Sequence, residues 1–153
     1  MKKTLFTLSL LISFTIYSQD LEFGLQASLP SYGLSLKADF TDTHSAQVIF
    51  GAFGPFSNLA GRYRYSFEET YDPVAVIPFV YAQAGSWTYN FKLLNIKESV
   101  FGYGFGAGLE FNLFDWFSDR ISTTIELGYS NVDLEYYDFN ATTFGFGIHY
   151  KFL

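Results

Sequence analysis

From residue 21 onward the chain alternates between apolar and small or polar side chains. The clearest stretch is 101–113, where Phe101, Tyr103, Phe105, Ala107, Leu109, Phe111 and Leu113 alternate with Gly102, Gly104, Gly106, Gly108, Glu110 and Asn112. A period of two puts the two sets on opposite faces of an extended strand. Seven further segments repeat the pattern. In 21–29 the apolar set is Leu21, Phe23, Leu25, Ala27 and Leu29; in 32–40 it is Tyr32, Leu34, Leu36, Ala38 and Phe40. Segment 46–53 is softer, because Ile49 and Phe53 fall on the face opposite Ala46, Val48, Phe50 and Ala52. In 59–67, Tyr63 and Tyr65 alternate with Arg62 and Arg64.

The fifth segment, from residue 78, puts Pro78, Val80, Ala82 and Ala84 on one face and Phe79, Tyr81, Gln83 and Gly85 on the other. A bulge near Gly85 is expected to shift the phase, so that Trp87, Tyr89 and Phe91 join the apolar face. The sixth strand is the 101–113 stretch, extended back to about Val100. The seventh, 120–130, and the eighth, 142–152, alternate again, the last with Phe144, Phe146, Ile148, Tyr150 and Phe152 on its apolar face. Pro30-Ser31, the polar run 41–45, Gly54-Pro55, the acidic run 68–74 and the run 115–119 supply turns. The two longest connections, 86–99 and 131–140, both fall at the end away from the chain termini.

Composition decides which side the apolar faces meet. Aromatic residues make up 22% of the chain and charged residues 16%, below the roughly 25% charged of an average domain. No apolar run beyond the first residues approaches the ~20 residues of a spanning helix. The start has the layout of a secretory signal peptide: Met1-Lys2-Lys3, an apolar run from Leu5 to Ile16, then Tyr17-Ser18-Gln19, with cleavage expected after Ser18. Residues 1–18 are then the leader and 19–153 one barrel domain. Loss of Lys2 and Lys3, with no acid lost, leaves seven basic against fifteen acidic residues, a net charge of −8. That balance argues against a nucleic-acid partner. With no cysteine, neither a disulfide nor a cysteine-linked lipid anchor is expected. An exported, apolar, all-β chain crosses a bilayer as a closed barrel, in which every strand hydrogen bond is internal. Eight strands of about 9–11 residues fit an antiparallel up-and-down transmembrane β-barrel.

In that barrel Glu22, Asp39, Glu110 and Glu126 face inward with Lys37, Arg62, Arg64 and Lys151. Four of each sign suggests mutual pairing in a narrow interior, where a lone charge is costly. His149 joins this group as an interior residue bonded to a neighbouring carboxylate. Ile49, Phe53, Phe79 and Tyr81 are expected to fill the space left by inward glycines, giving a side-chain-filled lumen with small water-filled cavities. Aromatic residues gather near both ends of the strands: Phe23, Tyr65, Trp116, Tyr150 and Phe152 at one, Tyr32, Trp87, Tyr89, Phe101, Tyr103 and Phe144 at the other.

The C-terminal Gly147-Ile148-His149-Tyr150-Lys151-Phe152 resembles the signal by which outer-membrane assembly machinery reads the last strand, with Gly147, Tyr150 and Phe152 at its key positions; Leu153 displaces the usual terminal aromatic by one. Together with Pro78-Phe79-Val80-Tyr81-Ala82 and the glycine-alternating sixth strand, it resembles the small OmpA/OmpX-like outer-membrane β-barrel family. The Ser-Gln junction is similar to signal peptides of Bacteroidota. The resemblance implies a Gram-negative cell outer membrane as the location, with lipid, lipopolysaccharide and the assembly machinery as partners. It does not extend to the peptidoglycan-binding domain of full-length OmpA-like proteins.

Three function classes stay open. The first is a non-enzymatic integral outer-membrane protein with a structural or surface-exposed role, or an accessory subunit of a larger outer-membrane complex. The second is a lipid-modifying barrel enzyme. The His-x-Ser pair of barrel deacylases is absent at His149, and the neighbours His44 and Ser45 point to opposite faces of a strand. The third is a soluble exported lipocalin-like binding barrel, with its faces reversed. No catalytic residue, metal site or cofactor is assigned; 102–108 is strand alternation rather than a dinucleotide loop.

Overall fold

The computed structural model describes residues 20–71, 75–91, 96–112, 118–135 and 137–152. The expected leader, Trp116 and Leu153 lie outside them. The described residues form β1 (Asp20–Ser28), β2 (Ser31–Asp39), β3 (His44–Phe53), β4 (Phe56–Ser66), the two-residue β5 (Thr70–Tyr71), β6 (Ala75–Phe91), β7 (Ile96–Phe111), β8 (Ile121–Leu134) and β9 (Tyr137–Lys151). Each long strand pairs antiparallel with its neighbour in sequence, β4 pairs with β6, and β1 pairs with β9 from Glu22↔Lys151 to Ser28↔Gly145. The eight long strands thus close into a barrel with no free edge around its circumference, while β5 adds a short flap on the start of β6.

Side-chain parity makes the barrel inside out relative to a soluble domain. The burial pattern of β4 alternates strictly from Asn58 to Ser66, with Leu59, Tyr63 and Tyr65 exposed and Asn58, Arg62 and Arg64 buried. Phe23, Leu25, Leu34, Phe50, Phe105, Leu127 and Phe144 are exposed, and Glu22, Gln26, Lys37, Gln47, Gln83, Glu110 and Glu126 are buried. Leu21 and Ala38 keep the outward phase but are buried. They are register partners at the rim, where the Phe152 N–H reaches the Leu21 carbonyl at 3.0 Å.

The fifth predicted strand needs correction. No bulge occurs at Gly85: β6 runs unbroken against β4 (Leu59↔Ser86, Ala60↔Gly85, Gly61↔Ala84) and against β7 (Gly85↔Gly102). A Cβ at Gly85 would collide with the Leu59 carbonyl and sit 2.7 Å from Ala60 Cα, so this glycine serves close approach, not an inserted residue. The phase therefore holds, and Trp87 turns inward at 4% exposure. Two expected loops are also largely strand. β6 and β7 stay paired to Phe91↔Ile96, and β8 and β9 to Leu134↔Tyr137. The polar residues that suggested a loop pair across strands instead: Thr88 Oγ1 lies 2.9 Å and Ser86 Oγ 3.2 Å from Ser99 Oγ. Because β7 pairs with β8 only from Tyr103↔Asn131 onward, two hairpins project past the rim opposite the chain termini. The segment 92–95 lies outside the described residues.

Closure rests on the β1–β9 seam. A Cβ at Gly24 would overlap the Ile148 carbonyl and sit 2.7 Å from His149 Cα, whereas a Cβ at the outward Gly61 meets its nearest atom at 3.9 Å. Gly24→Ala is expected to destabilise the barrel by about 3 kcal/mol through overpacking. Gly61→Ala is expected to change stability by about 0.5–1 kcal/mol, in the stabilising direction. Urea unfolding of the refolded protein, followed by tryptophan fluorescence, distinguishes the two.

Candidate functional site

The barrel interior is assembled tier by tier from register partners. Lys37 lies opposite Gln47, Gln47 opposite Arg62, and Arg62 opposite Gln83, so four strands adjacent round the barrel (β2, β3, β4 and β6) deliver polar side chains along one row of register partners. On the next strand round, β7, the inner face is bare from Gly102 to Gly108. A Cβ at Gly106 would come within 2.7 Å of Tyr81 Cζ, and one at Gly108 would overlap the Phe79 ring. The glycines of β7 thus make room for two aromatic rings of β6. Each ring carries a guanidinium on its face: Arg62 over Tyr81 at 4.0 Å and Arg64 over Phe79 at 3.8 Å.

Each arginine then reaches a carboxylate across the lumen. Arg62 Nη1 is 2.7 Å from Glu126 Oε2, while its Nε and Nη2 donate to Gln83 Oε1 at 3.3 and 2.8 Å. Arg64 pairs with Glu110 through Nη2 and Oε2, and its Nε donates to Ser66 Oγ at 3.2 Å. Lys37 sits among three acids, 2.9 Å from Glu22, 3.4 Å from Glu110 and 3.8 Å from Asp39. Ser122 Oγ donates to Glu22 Oε2 at 3.1 Å. These contacts join β1, β2, β4, β7 and β8 across the barrel, with the arginines, Lys37, Glu22 and Glu126 almost fully buried. Such pairs are sensitive to loss of one partner, because the other charge stays desolvated.

Three interior assignments differ from the sequence reading. Lys151 belongs to the rim: its Nζ pairs with Asp20 Oδ2 at 2.5 Å, and its side chain is 44% exposed. Asp20 precedes the first clear alternation, so period two alone does not mark it as a partner. His149 bonds a hydroxyl and an amide rather than a carboxylate, with Nε2 2.8 Å from Ser35 Oγ and 3.2 Å from Gln47 Nε2. Phe53 does not fill the lumen: it lies at the β3–β4 turn, beyond the last rung of inward side chains, and is 79% exposed. Ile49, Phe79 and Tyr81 are buried inside.

Between Gln26, Arg62, Glu126 and His149 the interior leaves no space that a water-sized sphere can enter. At the end carrying the termini it widens into a polar cavity of about 390 Å³, bordered by Lys37, Arg64, Glu110 and the Asp20–Lys151 pair. Among the described residues no group of His, Cys, Asp and Glu is arranged to hold a metal ion. His44 Nδ1 is 2.5 Å from the Tyr63 hydroxyl on the outer surface, while its neighbour Ser45 is buried, so the two point apart.

No protein-family model matches the sequence. No curated protein matches it either. Solved structures do. The N-terminal β-barrel domain of Pseudomonas aeruginosa OprF superposes with a TM-score of 0.62 at 18% identity, over 87% of this chain and 96% of that one. The two share the fold of a small closed antiparallel barrel. Neisserial surface protein A covers 87% of this chain and 94% of its own at 12% identity and a TM-score of 0.49. The attachment invasion locus protein Ail of Yersinia pestis covers 87% and 97% at 17% identity and 0.36.

In this barrel the three residues of the C-terminal pattern separate by face. Gly147 is inward, where a Cβ would lie 2.5 Å from Thr124 Oγ1 and 2.6 Å from Gln26 Oε1; Tyr150 and Phe152 are exposed on the outside. Aromatic residues are exposed near both rims: Phe23, Tyr65, Phe67, Tyr150 and Phe152 at the terminal end, and Phe101, Tyr103 and Phe144 at the other.

Removing one partner of the central pair strands a buried charge. Arg62→Ala is expected to cost about 3–5 kcal/mol, and an Arg62→Met, Glu126→Leu double variant far less. Lys151→Ala, at the exposed rim pair, is expected to cost about 1 kcal/mol or less. Urea titrations of the four proteins under one lipid condition check the order.

Proposed function

We propose that the chain is a non-enzymatic integral protein of the Gram-negative outer membrane. Its role is structural: it occupies the bilayer as a filled cylinder and presents its two projecting hairpins on the cell surface. The observation that carries this reading is the inversion of faces. Phe, Leu and Tyr side chains ring the outside while Arg, Lys and Glu are sequestered within. In water such a surface would be one large apolar patch, far beyond what a soluble monomer tolerates. In a bilayer it is the stable face, and closure satisfies the backbone. The barrel fold shared with the OprF domain supports the same reading.

The partners follow from this placement. Lipid and lipopolysaccharide contact the outer faces. The assembly machinery reads Gly147, Tyr150 and Phe152, after export directed by residues 1–18. Projecting hairpins also suit an accessory subunit of a larger outer-membrane complex. The non-enzymatic assignment is supported by Glu22, Glu110 and Glu126, each engaged by a cation or hydroxyl rather than poised as an acid–base pair. The ion pairs that cross the lumen support a closed interior rather than a solute channel.

Expression in a Gram-negative host, followed by membrane fractionation and electrophoresis with and without boiling, tests the proposal. The protein is expected in the outer-membrane fraction, requiring detergent for extraction and migrating differently when unheated. Monodisperse protein in detergent-free buffer would overturn the membrane assignment. Porin-like conductance in planar bilayers would overturn the filled interior.

A further inference from the structure

The two ends of the interior differ in chemistry. The terminal end is ionic, but at the opposite end Ala60, Trp87, Val132 and Leu134 form a buried apolar cluster, with Phe56, Tyr89 and Val100 packed against it. Next to this cluster is a cavity of about 300 Å³, at the lower edge of the roughly 300–1,000 Å³ typical of small-molecule sites. Trp87, Val132 and Leu134 line it, each buried.

The polar groups of the lining are turned to other uses. Trp87 Nε1 donates to the Pro30 carbonyl at 2.9 Å, which ties up the indole N–H and leaves carbon surface for the cavity. The Tyr32 hydroxyl donates to the Phe56 carbonyl at 3.0 Å. Ser57, which also borders the cavity, lies on the outward phase of β4 with Leu59 and Tyr63. A water molecule needs about 2–4 polar partners to occupy a cavity, and apolar cavities of this kind take up apolar molecules instead.

The lip indicates which molecule. Leu29, 57% exposed, continues the outward row of Phe23, Leu25 and Ala27 along β1. Phe53 adjoins the outward row of Val48, Phe50 and Ala52 on β3. Both also line the cavity, so apolar side chains lead from the outer band over the lip and inward. A water-borne ligand would have to pass these exposed hydrophobes. A chain already dissolved in the membrane would stay in apolar surroundings throughout.

We infer that this cavity binds one acyl chain of a membrane amphiphile, which enters over Leu29 and Phe53 and ends against Trp87. The inference rests on the outer-membrane reading. The volume holds about ten water-sized groups, and so about ten chain carbons.

The full chain with Trp116→Phe leaves Trp87 as the sole tryptophan. It is reconstituted in phosphatidylcholine vesicles and titrated with ω-bromo fatty acids of increasing length, whose bromine quenches indole on contact. Saturable quenching of Trp87 is expected, with affinity rising per added carbon and levelling off near about ten carbons. Partition into the bilayer alone would keep rising with length. Val132→Phe, which enlarges a buried residue of the cavity wall, is expected to weaken binding about tenfold. If that variant does not insert, the chain-length plateau alone decides the matter. Unquenched Trp87, or quenching that never saturates and shows no plateau, would overturn the site. Unboiled electrophoresis of the same vesicles keeps the two readings apart: a lost mobility shift removes the membrane assignment, while a retained shift with unquenched Trp87 removes the acyl-chain site alone.

Discussion

The meeting of β1 with β9 is the constraint on which the rest depends. A strand edge is a row of unpaired N–H and C=O groups, and in hydrocarbon each unpaired group costs several kcal/mol. Seven residue pairs, Glu22↔Lys151 through Ser28↔Gly145, remove that edge. Once the sheet is closed, side-chain parity has only two destinations, inward and outward. The chain assigns ionic residues to the first and aromatic and aliphatic residues to the second with few exceptions.

Closure at eight strands leaves an interior that side chains must fill, and this chain fills it by contrast between walls. The glycines of β7 give up volume, Phe79 and Tyr81 lie on the bare backbone, arginines cover the rings, and Glu110 and Glu126 answer the arginines. Each layer is a condition for the next. A larger residue at Gly106 would displace Tyr81, and a displaced Tyr81 would leave Arg62 without its ring. The ionic cluster is therefore better understood as specifying one interior packing than as a large net source of stability, since desolvation offsets much of the Coulomb gain.

The eight-stranded alternation was legible because period two is strict wherever one face is glycine or charged, as in β4 and in 101–111. What sequence patterning could not supply came from two assumptions. One is that Gly85 marks a bulge, which would carry Trp87 to the outer face. The strand runs unbroken there, and Trp87, Val132 and Leu134 make one end of the interior apolar. The other is that polar runs are loops. Ser86, Thr88 and Ser99 instead face one another across a hairpin, an arrangement visible only once the register is known. Of the candidate charges, Glu22, Lys37, Asp39, Arg64 and Glu110 meet in one ionic network and Arg62 and Glu126 form a second pair, whereas Lys151 turns to Asp20 at the rim. Parity alone does not report depth along the barrel axis, which is what separates Lys151 from the others.

An ionic vestibule at one end, a dry centre and an apolar mouth give the cylinder a polarity along its axis that the outer surface lacks. All three follow from which way each side chain faces. The chain has no cysteine, so single cysteines at Phe105, Leu127 and Gln83 can carry nitroxide labels without background. Relaxation of these labels in proteoliposomes by oxygen, which concentrates in lipid, and by a water-soluble nickel chelate is the most direct measurement. At Phe105 and Leu127 oxygen should dominate, and at Gln83 neither relaxant should have ready access. Dominance of the nickel chelate at Phe105 and Leu127 would contradict the inverted barrel.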